Sequence, residues 1–153
     1  MVRLSDLLPD VAAGLLALPL PEFESTPWVA APRLRDARVA MVTTAGLHRP
    51  TDDRFVGGSA DYRLIPADVD PNELTMTHVS INFDRTGFQQ DVRVVFPLEH
   101  LHALADAGEI GSVAAWHYSF MGATDPSRMA DSGSQVARLL KQDGVDAVIL
   151  IPV

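Results

Sequence analysis

Residues 113–153 read VAAWHYSFMGATDPSRMADSGSQVARLLKQDGVDAVILIPV, and this stretch decides the fold class. It opens on an extended apolar run, Val113–Phe120, which breaks at Met121-Gly122. Asp125-Pro126 then starts a helix, with Asp125 placed to cap the first free amides and Pro126 preset for a first turn. Met129, Val136, Leu139 and Leu140 share one face of that helix, and Gly144 stops it. Residues 145–153, VDAVILIPV, form the most hydrophobic strand candidate in the chain. Strand, helix and strand in this order make a crossover unit, which sets two strands parallel in one sheet.

The pattern extends upstream. Ala40–Thr43 is a short apolar run ending in hydroxyls and a glycine, the mark of a buried strand. Tyr62–Ile65 is a second candidate, closed by Pro66, and Thr75–Ser80 a third. Val92–Phe96 reads as a further strand leading into a helix at Pro97. Leu98, Leu101, Leu104 and Ala105 line that helix and Gly108 ends it. Near the start, residues 4–18 suit one or two short helices, broken or begun at Pro9. The segment that follows carries Pro19, Pro21, Pro27 and Pro32, so it is an extended arm, anchored by Trp28. The expectation is a single-domain α/β protein. It has a mostly parallel sheet, flanking helices and a Pro-rich N-terminal arm, with residues 1–38 as helix and arm and 39–153 as the α/β body.

Composition narrows the function. The chain has 153 residues, 47% of them apolar and 21% charged, with a formal net charge of −8. A surface this acidic is a poor match for duplex nucleic acid or an anionic membrane, whose phosphates need Lys and Arg. Lys141 is the only lysine, so local anion binding falls to arginine forks. With no cysteine, the residues given hold no disulfide, thiolate metal site or thiol nucleophile. The N-terminal apolar stretch is interrupted by Asp6, Pro9 and Asp10, unlike a signal peptide. A cytoplasmic protein is the expectation.

Three constellations can carry chemistry. Thr43, Thr44, Gly46, His48 and Arg49 leave a buried strand, with Asp52 and Asp53 close behind. They suit an anion cradle, the start of a His/Asp metal site, or an ordinary turn in which Arg49 pairs with Asp53. Next, His78, Ser80, Asn82 and Asp84 alternate along an extended segment, as a polar site or a solvated face. Thr86–Gln90 beside it reads as a loop with an exposed Phe88. In the third, Trp116, His117, Tyr118 and Ser119 run into Gly122, fitting an amphipathic pocket wall or a satisfied core strand. His100 and His102, two apart on a helix, do not face one another.

In this order the strings TTAGLHRPTDDRF, DYRLIP, THVSINFDRTGFQQD, VVFPLEHL, EIGSVAAWHYSFMGATDP and DGVDAVILIPV resemble the glycine/sarcosine/betaine/D-proline reductase selenoprotein B family. The resemblance covers Val39 to Val153. It implies that the terminal strand leads into a selenocysteine or cysteine, in a short motif with a second cysteine, at the start of a further helix. Neither residue is present here. A selenocysteine codon otherwise means stop, so the expectation is that the reading frame continues past Val153; the alternative is a relative that has lost its redox pair.

What the resemblance implies is reductive cleavage of a small-molecule substrate. A selenolate or thiolate attacks a carbon bearing a leaving group, and a neighbouring thiol resolves the adduct. On this reading His48, His78 and His117 are the acid/base candidates, with Asp84 orienting one of them. Thr43, Thr44, Arg49 and Tyr118 hold the substrate. A thiol serves as electron donor, and neither a cofactor nor a metal is expected. A second copy of the chain would cover apolar sheet surface left bare beside the last strand. The competing readings are a small-molecule-binding pseudoenzyme and a His/Asp metal-site hydrolase. As given, without a thiol, the chain performs no thiol chemistry.

Overall fold

The structure is a computed structural model that describes residues 3–19, 22, 24, 26, 29–80 and 85–153. Along the chain lie α1 (Pro9–Leu16), β1 (Arg38–Thr43), β2 (Leu47–His48), β3 (Tyr62–Pro66), β4 (Thr75–Met76), α2 (Thr86–Gln90), α3 (Leu98–Asp106), β5 (Ser112–Val113), β6 (Trp116–Phe120), α4 (Ala130–Gln142) and β7 (Ala147–Ile151). β1 is central. β7 runs parallel along one side of it, and β5 then β6 run parallel along the other, with β3 antiparallel beyond β6. β2 and β4 form a separate antiparallel pair. The result is the expected α/β domain with a mostly parallel sheet.

Both faces of the central strand are covered. Val39 and Met41 of β1 pack with Phe96, Leu98 and Leu101 on the α3 side. Val42 alternates to the other face and joins Tyr118, Phe120 and Val136 beneath α4. Asp125 caps the turn before α4 as expected, its carboxylate accepting the Ser127 amide at 2.9 Å. Gly108 and Gly144 close α3 and α4 at φ of 71° and 67°, a backbone region that favours glycine.

Three local expectations are corrected. Val92–Phe96 is not a strand: Val92–Val94 is a 3-10 turn. The Asp91 carboxylate accepts the Arg93 amide at 3.0 Å and also pairs with the Arg93 guanidinium, so a local turn outcompetes the sheet ladder. Phe88 is not exposed; it lies on the short helix α2 with its ring in the α3-side core. The third strand candidate pairs only at Thr75–Met76: the Thr77 amide still reaches the Gly46 carbonyl at 2.9 Å, but the Gly46 amide turns away to the Phe120 carbonyl at 2.8 Å and ends the ladder. Trp28 lies outside the described residues.

β5 and β6 are one extended passage interrupted by a bulge. Val39 pairs with Val113, and Val42 with Tyr118, so three steps along β1 match five along its partner. Side chains satisfy the backbone groups this mismatch exposes. His117 Nδ1 accepts the Met41 amide at 3.0 Å. The Asp143 carboxylate accepts the Ala115 amide at 2.7 Å and the Trp116 amide at 3.4 Å, and pairs with Arg38. Burial pushes the Asp143 carboxyl up, but Arg38 and the two amides together hold it below its ordinary value.

Candidate functional site at the carboxyl end of the sheet

In an open parallel sheet, chemistry gathers where the strands end and their loops depart. Four segments meet there: the exit of β1, the exit of β6, residues 77–78 and the end of β7. Gly46 makes the meeting close. Its φ is 68°, and a Cβ on it would lie 3.0 Å from the Thr77 carbonyl oxygen and 3.1 Å from the His78 nitrogen. Its amide donates to the Phe120 carbonyl at 2.8 Å, and the Leu47 amide donates to Ser119 Oγ at 2.8 Å. Thus residues 44–47 are tied to β6 on one side and to the His78 segment on the other.

Each sequence candidate has a definite place. Thr43 is fully buried, its hydroxyl accepting the Ala45 amide at 3.2 Å. Thr44 faces the end of β7: its Oγ1 accepts the Val153 amide at 2.8 Å and donates to the Val153 carbonyl at 3.4 Å. His48 is buried with both ring nitrogens engaged, Nδ1 with the Arg49 carbonyl at 2.8 Å and Nε2 with Thr77 Oγ1 at 2.7 Å. Since a carbonyl can only accept, Nδ1 carries a proton, and in the neutral ring Nε2 accepts from the threonine. Arg49 pairs with Asp52, not Asp53, through two side-chain bonds at 2.8 and 3.2 Å. Burial pushes the Asp52 carboxyl up, and the Arg49 guanidinium and amide more than offset this.

His78 is buried, and its Nδ1 accepts the Ser80 amide at 3.3 Å. The Arg85 guanidinium spans this loop, donating to the His78 carbonyl at 2.6 Å and the Ser80 carbonyl at 3.2 Å. Burial, then the Arg85 charge, pushes the His78 pKa down, so its ring is neutral at pH 7. His117 sits further back, in the bulge opposite Met41. Burial, with His102 a secondary cause, lowers its pKa to about 4. Tyr118 lies on the opposite face of the sheet under α4, its pKa pushed up to about 12 by burial and by nearby Asp143 and Tyr62. Asp84 lies outside the described residues.

The structure therefore brings Thr44 to the end of β7. His78 and His48 stand just behind it, across Gly46 and Thr77. It does not bring Arg49, His117 or Tyr118 to that point. Gly122 belongs there too: a Cβ on it would lie 3.0 Å from both Thr44 Oγ1 and the Val153 carbonyl oxygen. The sequence reading singles out Ser119 but not Thr77, a hydroxyl at the boundary of β4 that holds His48. Asp143 acts at the opposite end of the sheet, beside Arg38 at the start of β1. Among the described residues no group of three or more His, Cys, Asp or Glu is placed to hold a metal ion, and His48 has no ring nitrogen to spare for one. A groove of about 330 Å³ lies behind β2–β4, floored by Leu47, Leu74, Met76 and Phe88 and edged by Arg85 and Gln89.

The family model for glycine/sarcosine/betaine reductase selenoprotein B matches residues 16–152. The chain belongs to that family. Two curated relatives are similar to this chain. The D-proline reductase subunit gamma of Acetoanaerobium sticklandii is 35% identical over 120 residues, covering 76% of this chain and 49% of that protein. The glycine reductase complex component B subunit gamma of Carboxydothermus hydrogenoformans is 30% identical over 141 residues, 87% of this chain and 32% of its own length. The chain thus spans about half the length of the first relative and a third of the second. No solved structure matches this chain. Among the described residues no helix is long and apolar enough to cross a membrane.

Proposed function

We propose that this chain is the scaffold of a reductase component that reductively cleaves a small substrate with a selenocysteine or cysteine placed just after Val153. The observation that carries the reading is the joining of Thr44, Gly122 and Val153 at the carboxyl end of the central strands, in a member of a family of reductase selenoproteins. In the proposed reaction the chalcogenolate attacks the substrate carbon, which forms a carbon–chalcogen bond and expels the leaving group with its electron pair. A second thiolate then attacks the chalcogen, releasing the carbon as a protonated product and leaving a chalcogen–sulfur bond. An external dithiol returns the two electrons by exchange.

The acid/base role falls first to His78, whose segment packs on Gly46 and whose neutral ring can take the proton of a selenol or thiol. Asp84 is assigned to orient it. His48 supports that segment through Thr77. His117 and Tyr118 act on the scaffold from behind, and Arg49 with Thr43 shapes the loop that frames the substrate. The names of the relatives supply the first substrates to try: D-proline and glycine, then sarcosine and betaine from the family description. The other subunits implied by those names are proposed as partners, and cytoplasm as the compartment.

The test starts with the codons after Val153. In-frame UGA or a cysteine codon, followed by coding sequence with a second cysteine, is expected. The extended protein should then show dithiol-dependent cleavage of one of these substrates, falling at least 10-fold in His78→Gln. Noncoding sequence after Val153, or no turnover of any of them by the extended protein with its partner subunits, overturns the reading.

A further inference from the structure

Thr44 occupies an unusual position in the sheet. In a regular parallel pairing with β7 its amide and carbonyl would both face β7, the amide giving to Ile151 and the carbonyl receiving the Val153 amide. The first bond is present, at 3.1 Å. The second is not: the Thr44 carbonyl accepts the Gly122 amide at 2.9 Å, on the β6 side. Pro152, between the two β7 partners, has no amide to contribute. Thr44 is therefore where β1 turns from one neighbour to the other, and the Val153 amide loses its backbone acceptor.

The hydroxyl of Thr44 takes that carbonyl's place. A single Oγ1 accepts the Val153 amide at 2.8 Å and donates to the Val153 carbonyl at 3.4 Å, so it serves both backbone groups of one residue. Gly122 closes the other side. A Cβ there would lie 3.0 Å from Thr44 Oγ1 and 3.0 Å from the Val153 carbonyl oxygen, so either group would have to shift by tenths of an ångström. We infer that Thr44 and Gly122 form a backbone clamp on Val153 and that Thr44 is a positioning residue: it sets the direction in which the polypeptide leaves β7, and with it the attack geometry of the group that follows. This inference rests on the reductase reading, and it gives Thr44 a task other than holding substrate.

The test uses Thr44→Val, which keeps the shape and removes the hydroxyl, Thr44→Ser, which keeps the hydroxyl, and Gly122→Ala. Hydrogen exchange by NMR reads the clamp in the chain itself. The Val153 amide should exchange at least 10-fold faster in T44V and G122A, while the Ile149 amide is unchanged and T44S stays near the wild type. In the protein extended through its redox residue, T44V should lower kcat about 10- to 100-fold with KM little changed, and T44S should restore it. An unchanged Val153 amide in both T44V and G122A removes the clamp. Faster exchange with unchanged kcat, or an equal rise in KM with kcat intact, removes the positioning role but leaves the reductase reading standing. A wild-type extended protein without turnover overturns both, even with the clamp present.

Discussion

β6 and β7 flank the same central strand, and both run parallel to it, yet they are built on opposite terms. β7 pairs with β1 in unbroken register from Val39 to Thr43. It is wholly apolar, and still Val148, Ile149 and Leu150 are 39%, 41% and 72% exposed. β6 has a bulge before it and carries His117, Tyr118 and Ser119, all of which are buried. Hydrophobicity does not rank these strands by burial. Position does: β6 lies between β1 and β3 and beneath α4, whereas among the described residues β7 is the last strand on its side. Two of the polar residues of β6 accept backbone amides in the interior, His117 from Met41 and Ser119 from Leu47, which offsets the cost of burying them.

The comparison can be broken first at Asp143, where the largest effect is expected. Its carboxylate binds Arg38 and the two amides freed by the bulge. Asp143→Ala leaves a half-buried guanidinium and two amides without this acceptor, which should cost about 3 kcal/mol, read as a drop in urea midpoint at constant m-value. Its folded pKa is depressed, so its contribution is full above pH 3.8 and is lost as pH falls through the lower folded value. A variant as stable as wild type would mean that the bulge does not depend on this carboxylate.

Next comes His117, on the other side of the bulge. His117→Leu removes the acceptor of the Met41 amide and should cost about 2 kcal/mol. It should also change the pH profile. The ring titrates near 6.5 unfolded but at about 4 when folded, so between these values the unfolded chain binds the extra proton and stability falls as the solution is acidified. The loss from this group reaches about 3 kcal/mol by pH 4. Equilibrium unfolding at several pH values should show most of that slope in the wild type and little in His117→Leu, the remainder belonging to His78, whose pKa is lowered in the same direction. An unchanged slope would place the buried histidine's titration elsewhere.

These two residues also mark the limit of what the sequence makes legible. β1, β3, α3, α4 and β7 are readable because apolar periodicity and capping residues state them locally, as Asp125 and Gly144 do for α4. The bulge is not, because nothing in Val113–Phe120 itself reveals that Met41 and Asp143, distant along the chain, will close it. Val92–Phe96 misleads for the opposite reason: its residues favour a strand, but Asp91 offers Arg93 a nearer hydrogen bond. For the site, the hydroxyls and histidines at strand ends stand out by type and position. Which of them face Val153 does not. Thr43 and Thr44 are neighbours with the same side chain, one sealed against Ala45 and the other turned to β7, and only the three-dimensional path of β1 separates them.

The smallest effect is expected on β7, and it sharpens the comparison most. Ala147, Ile151 and Val153 pack toward the α3-side core, so by alternation Val148 and Leu150 point to the other face, beyond the residues that α4 covers. Leu150 makes little use of its apolar area within one copy, and Leu150→Lys should change the unfolding free energy of the dilute chain by less than about 0.5 kcal/mol. The same change on β6, at buried Tyr118, would place a charge in the core. If β7 is covered by a second copy, the mutation should lower the mass measured by light scattering at high concentration, and the midpoint of the wild type should rise with concentration while that of Leu150→Lys does not. Equal masses and equal, concentration-independent midpoints would leave β7 a bare edge in this chain, and its hydrophobicity would then need a heterologous partner or additional chain to account for it.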